Sequence, residues 1–157
     1  MQLKKRTPCV GICSTTYGDL VCRGCKRFAH EIVQWNGYDE AQQDAVRDRL
    51  QRVRDEVLKL LVVCNDQSKM DDALAEAGLQ NVDMMEGLYQ LLRFMVRREQ
   101  PLSSVGLVMS INLDTAQSVR RTGPESDLDT LQLLQALDAE TFLRAKAHYE
   151  RNFKVPA

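Results

Sequence analysis

The chain has 157 residues, 44 per cent hydrophobic and 27 per cent charged, with a formal net charge of −1. That composition excludes wholesale disorder and fits one domain, or a small module attached to a modest helical domain. No apolar run approaches the roughly 18 residues needed to span a bilayer, so no membrane role is expected.

The first element is a cysteine module over residues 1–38. Cys9, Cys13, Cys22 and Cys25 stand at the spacing C-x3-C-x8-C-x2-C. The start is basic at Lys4, Lys5 and Arg6 with no apolar stretch behind it, which is not the pattern of a secretion signal. A cytoplasmic location is therefore expected, where thiols stay reduced and a clustered quartet reads as metal ligands rather than two disulfides. Ser14 to Val21 has turn chemistry at its centre, which predicts a tight hairpin or irregular turn. From Cys22 to Trp35 the pattern reads as a helix with Phe28, Ile32 and Trp35 on one face. Cys22 and Cys25 would then occupy its first turn, i and i+3, with both sulfurs aimed the same way.

Residues 39–157 read as a helical bundle domain. Asp39 is a candidate N-cap for a long helix whose Val46, Leu50, Val53, Val57 and Leu60 form a narrow apolar seam, ending at Asn65-Asp66-Gln67-Ser68. Asp83 with Glu86 signals the start of a helix presenting Met85, Leu88, Leu92 and Met95 and stopping before Pro101. Residues 102–120 predict one or two short helices broken near Ser110-Ile111-Asn112, and Thr122-Gly123-Pro124 is a turn. Two further helices are expected. Ser126 caps one carrying Leu128, Leu131, Leu134 and Leu137, and Asp138 caps another carrying Phe142, Ala145, Tyr149 and Phe153.

Two pairs of thiolates joined by a short loop can close a tetrahedral zinc site with no open position for catalysis. The same four ligands can hold an iron–sulfur cluster, although the C-x2-C-x2-C run common in cluster proteins is absent. A redox dithiol at Cys22 and Cys25 would require a βαβ context that the sequence lacks. His30 and His148 read as solvated helix positions. Cys64, behind Leu60-Leu61-Val62-Val63, reads as a buried small hydrophobe, and Met84, Met85 and Met95 as core filler. Trp35 is placed as an anchor between the cysteine module and the helix that follows. Arg97-Arg98 and Arg120-Arg121 read as solvated pairs. No phosphate loop, nucleophile elbow or paired-histidine motif is present, so an enzyme is not expected.

Several residues carry a family resemblance: Thr7-Pro8-Cys9-Val10-Gly11-Ile12-Cys13, Leu20-Val21-Cys22-Arg23-Gly24-Cys25-Lys26-Arg27, Glu31-Ile32 and Trp35. In these the chain resembles the DUF1289 family, short cysteine-rich bacterial proteins of unknown function, commonly labelled predicted iron–sulfur proteins. The resemblance covers roughly residues 7–55. It implies metal binding by Cys9, Cys13, Cys22 and Cys25. Val21 stands where the family tends to have Leu, and Lys26 where a Gly is frequent, and neither is a ligand.

The fold expectation is a mostly α protein in which a small four-cysteine metal knuckle, a short hairpin plus helix, precedes a helical bundle. The function expected is that of a non-enzymatic zinc-binding adaptor or regulator. Its basic head (Lys4, Lys5, Arg6, Arg23, Lys26 and Arg27, against Asp19 alone in residues 1–30) would contact a protein or nucleic-acid partner. The alternative is an iron–sulfur protein in electron transfer or redox sensing.

Overall fold

The computed structural model describes residues 7–11, 13–110 and 129–153. Lys4, Lys5, Arg6, Ile12, Arg120-Arg121, the Thr122-Gly123-Pro124 turn, Ser126 and Leu128 lie outside the described residues. The fold is mostly α, as expected: α1 Ala29–Gln34, α2 Glu40–Leu61, α3 Gln67–Glu76, α4 Met84–Arg97 and α5 Asp129–Asn152. A two-stranded antiparallel sheet joins β1 Val62–Cys64 to β2 Leu107–Met109 in the register Val62↔Met109, Val63↔Val108, Cys64↔Leu107. No described helix is long and apolar enough to cross a membrane. The chain divides into two compact units, one of residues 1–53 with 141–157 and the other of residues 54–140, so the division falls inside α2 and α5.

In the unit of residues 54–140 the core gathers Val57, Leu58 and Leu61 from α2, Met70 and Leu74 from α3, and Leu88, Leu91, Leu92 and Met95 from α4. Leu102, Val105 and Leu107 close it together with Leu133, Ala136 and Leu137 of α5. The caps follow the sequence. Asp83 accepts the Glu86 N–H at 3.3 Å, and Asp66 accepts the Lys69 N–H at 3.2 Å to start α3, a helix the sequence pattern did not separate. Gly106, at φ 74°, turns the chain into β2 and accepts the N–H groups of Asn65 and Asp66 at 2.8 and 3.2 Å. The start of α5 is held by Asp129, which accepts the Leu102 N–H at 3.0 Å, and by buried Thr130, whose hydroxyl donates to the Gln100 carbonyl at 2.7 Å.

Several expectations are corrected here. The apolar seam of α2 swings in its last turns from Leu60, which is 49 % exposed, to Leu58 and Leu61, because 3.6 residues per turn carries a strict 4-3 repeat off the buried face. Cys64 is exposed, because the chain leaves α2 at Leu61 and becomes a strand in which buried Val62 is followed by two outward residues. Met84 is exposed as the first residue of α4, while Met95 is fully buried. The two expected C-terminal helices are one: Asp138 lies inside α5, and the 24 residues from Asp129 to Asn152 contain neither Gly nor Pro to stop them.

In the unit containing the N-terminus, Phe28 is 1 % exposed and centres an aromatic cluster. Its ring centroid lies 5.3 Å from Tyr149 and from Phe153, 5.6 Å from His148 and 5.8 Å from His30. His148 therefore packs against Phe28 rather than standing in solvent. Burial, reinforced by Arg49, Arg151 and Arg52 against the opposing Glu31, lowers its pKa. Glu31 is 4 % exposed and accepts three hydrogen bonds: the Phe28 N–H at 2.8 Å and the Arg49 guanidinium at 2.6 and 2.7 Å. Arg49 also lies 4.2 Å from the Phe28 ring centroid. At the head of α2, Asp39 and Gln42 cap each other reciprocally, the Gln42 N–H to Asp39 at 2.8 Å and the Asp39 N–H to Gln42 at 3.0 Å.

Candidate metal centre

The segment between the cysteine pairs forms a short 3-10 turn, Ser14–Tyr17, ended by Gly18 at φ 98°. The hairpin comes later. Val21 bridges Phe28 in antiparallel fashion, the Cys22 N–H donates to the Arg27 carbonyl at 2.9 Å, and the Lys26 N–H donates to the Cys22 carbonyl at 2.8 Å. Cys22 and Cys25 therefore sit in a tight turn, not on the first turn of a helix. Lys26 explains the correction: its φ of 64° breaks any helix begun at Cys22. The helix starts only at Ala29, once Glu31 has reached back to the Phe28 N–H.

This turn aims peptide N–H groups at sulfur. Cys22 is 1 % exposed. Burial alone would raise its pKa, but N–H groups of Cys25, Ser14 and Gly24 and the neighbouring Cys25 thiol outweigh it and bring the value down to about 7. Cys13 shares a 2.7 Å hydrogen bond with the Thr15 hydroxyl. That bond, aided by the Thr15 N–H and the Thr16 side chain against burial and the Cys22 charge, lowers its pKa. At Cys25 burial dominates and raises the pKa, with Arg27 pulling the other way and Cys22 adding to the rise. Cys13 and Cys25 thus both feel Cys22. Cys9 is exposed and its sulfur accepts the Gly11 N–H at 3.3 Å.

Among the described residues, no group of three or more His, Cys, Asp or Glu side chains lies close enough together to hold a metal ion. As they stand, the four cysteines are not gathered into a metal site. Cys22 and Cys25 lie together, with N–H donors suited to thiolate at Cys22, and Cys13 lies within electrostatic reach of Cys22.

The expected contact residues separate sharply. Arg23 is exposed, pairs with Asp19 at 3.4 Å and lies 4.9 Å from the Phe142 ring. Lys26 is half-buried and its ammonium donates to the Gly24 carbonyl at 2.9 Å. Arg27 is only 4 % exposed, so it is not a contact residue. Its Nε donates to the Cys25 sulfur at 3.3 Å and its guanidinium lies 4.8 Å from the Trp35 ring centroid. Arg47 of α2 lies 5.2 Å from the same centroid, and Gln43 donates to the Trp35 carbonyl at 2.9 Å. Trp35 thus links the cysteine turn to α2. Sequence reasoning missed the Glu31–Arg49 pair, whose one signal was a Glu three residues after the future N-cap Phe28.

No curated protein and no solved structure matches the chain. Residues 7–54, the N-terminal part of the chain, match the family model DUF1289, described as a protein of unknown function.

Proposed function

We propose that Cys9, Cys13, Cys22 and Cys25 hold one zinc ion, and that the protein is a non-enzymatic adaptor or regulator built on that metal-stapled head. The observation that supports this most is the Cys22–Arg27 turn, in which several peptide N–H groups favour thiolate on a buried sulfur. Zinc would supply structure: metal binding in small finger peptides is worth roughly 10–16 kcal/mol, and a segment this short builds little core alone. Cys9 and Cys13 would close on the preformed Cys22–Cys25 pair. Arg23 and Lys26, with Lys4, Lys5 and Arg6, would offer positive charge to an acidic protein or nucleic-acid surface.

Elemental analysis of anaerobically purified protein tests the metal. About one zinc per chain, lost together with order in the N-terminal unit on chelation, is the expected result. Iron with labile sulfide and visible absorption would replace zinc by a cluster, and well-ordered protein without metal would end both readings. For the partner, affinity for RNA or DNA should fall steeply with salt and weaken when Lys4, Lys5 and Arg6 are reversed in charge. Binding indifferent to both would leave a protein partner.

A further inference from the structure

The unit of residues 54–140 carries a cavity of about 310 Å³ where α3 packs against α4 and the turn Leu102–Val105. Its floor is buried Leu91 and Val105, and its α3 wall is Lys69, Asp72, Ala73, Glu76 and Ala77. Asp72, Ala73 and Glu76 follow Lys69 by three, four and seven residues, so the four share one face of α3, with small Ala73 at its middle. The charges on that face run against the helix. Lys69 stands in the first turn and Glu76 is the last residue, whereas a helix favours anions at its start and cations at its end. Asp72 and Glu76 add a destabilising like-charge pair at i and i+4, and among the described residues neither has an ion-pair partner. Such a face disfavours the helix by itself and is relieved by opposite charge from outside.

We propose that this face is a self-association surface, on which a second copy of the chain docks with α3 antiparallel to α3 and Lys69 of each copy against Glu76 of the other. A two-fold axis passing between positions 72 and 73 produces that pairing twice per dimer and sets Asp72 against Ala73. It also brings each Lys69 to the C-terminal end of the facing helix and each Glu76 to its N-terminal end. The placement that opposes one helix dipole therefore suits the other. Ala73, near the axis, lets the two backbones approach closely. Phe94, 39 % exposed on the opposite wall of the cavity, adds apolar surface beside the contact. Charge complementarity selects a second copy as the occupant, because the face carries both signs in an order that matches its own reverse. The surface lies in the unit that holds none of the four N-terminal cysteines and is independent of the metal reading.

Sedimentation equilibrium on the full-length protein at low salt tests the proposal. It compares wild type, Lys69→Glu, Glu76→Lys and the double swap that combines them, each checked for wild-type helicity by circular dichroism. Wild type should dimerise with a Kd in the micromolar range, as suits a small helix-on-helix contact. Each single reversal turns two attractions per dimer into two repulsions and should raise the Kd at least about tenfold. The double swap regenerates both pairs and should return to within about threefold of wild type. Mixed in equal amounts, the two single variants should form a heterodimer, because their altered faces are opposite in sign at both positions. Dimers indifferent to the single reversals, or single variants that fail to dimerise with each other, would overturn the proposal. Wild type that stays monomeric at its highest soluble concentration would also overturn it, and would leave the face to a different protein.

Discussion

Replacing Arg49 by Met isolates the tie that fastens the cysteine turn to α2. Methionine keeps most of the aliphatic length over the Phe28 ring but removes both donors to Glu31, at 2.6 and 2.7 Å. Glu31 is 4 % exposed, so its carboxylate would be left with the Phe28 N–H as its remaining described donor. Breaking a buried pair from one side costs about 3–5 kcal/mol, because the surviving charge is uncompensated. Removing both charges in Arg49→Met with Glu31→Gln should therefore cost less than Arg49→Met alone, giving a coupling of about 1 kcal/mol or more. Trp35 is the chain's single tryptophan and lies in the same unit, so urea unfolding followed by its fluorescence reads the relevant region. The pair also carries a pH signature. Burial alone would raise the Glu31 pKa, but the hydrogen bonds from Arg49 and the Phe28 N–H and the charges of Arg49 and His30 hold it below its ordinary value. A depressed carboxylate stabilises the fold above its unfolded pKa of about 4.3, and the contribution is lost as pH falls through the lower folded value. Glu31→Gln should flatten that acid limb. An Arg49→Met protein within about 0.5 kcal/mol of wild type would refute this account of the buried pair.

Other expectations follow from single positions. Lys26→Gly relieves a left-handed backbone at φ 64° and should raise the stability of the N-terminal unit by up to about 1 kcal/mol, less the lost ammonium bond to Gly24; a lower melting temperature contradicts the turn geometry. Gly106→Ala forces a Cβ against the Asp66 carbonyl and to 2.9 Å from the Asp66 Cβ, at φ 74°, and should cost about 1–3 kcal/mol in thermal unfolding by circular dichroism. Leu58→Ala should cost about 2–5 kcal/mol and Leu60→Ala well under half of that, since Leu58 is fully buried and Leu60 is 49 % exposed; equal costs would restore the heptad seam.

Capping chemistry and strong periodicity were readable in advance. Asp39, Asp83 and the Met85–Leu88–Leu92–Met95 stripe identified α2 and α4 because each signal is local. What escaped depends on distant partners. Val62 and Val63 continue an apolar run, and only pairing with Leu107 to Met109, more than forty residues on, makes them a strand. Asp138 looks like a cap because a short acid competes for backbone N–H groups, yet burial of Ala136 and Leu137 on one side and Thr141 on the other keeps the helix continuous. At the candidate centre the cysteines themselves were legible, while the surroundings were not. An i, i+3 pair suits a helical turn and a hairpin alike, and the left-handed Lys26 decides between them. Arg27 was read as surface charge because a sequence shows a cation without showing what lies over it.

The outward-facing Cys64 gives the molecule a built-in reference thiol. It stands on β1, in a different unit from the four N-terminal sulfurs, and stays open to a maleimide dye in the folded state. With five cysteines in all, labelling of one sulfur per chain before chelation and five after would count the engaged thiols directly. Substituting Cys64 with Ser should move that tally to none and four.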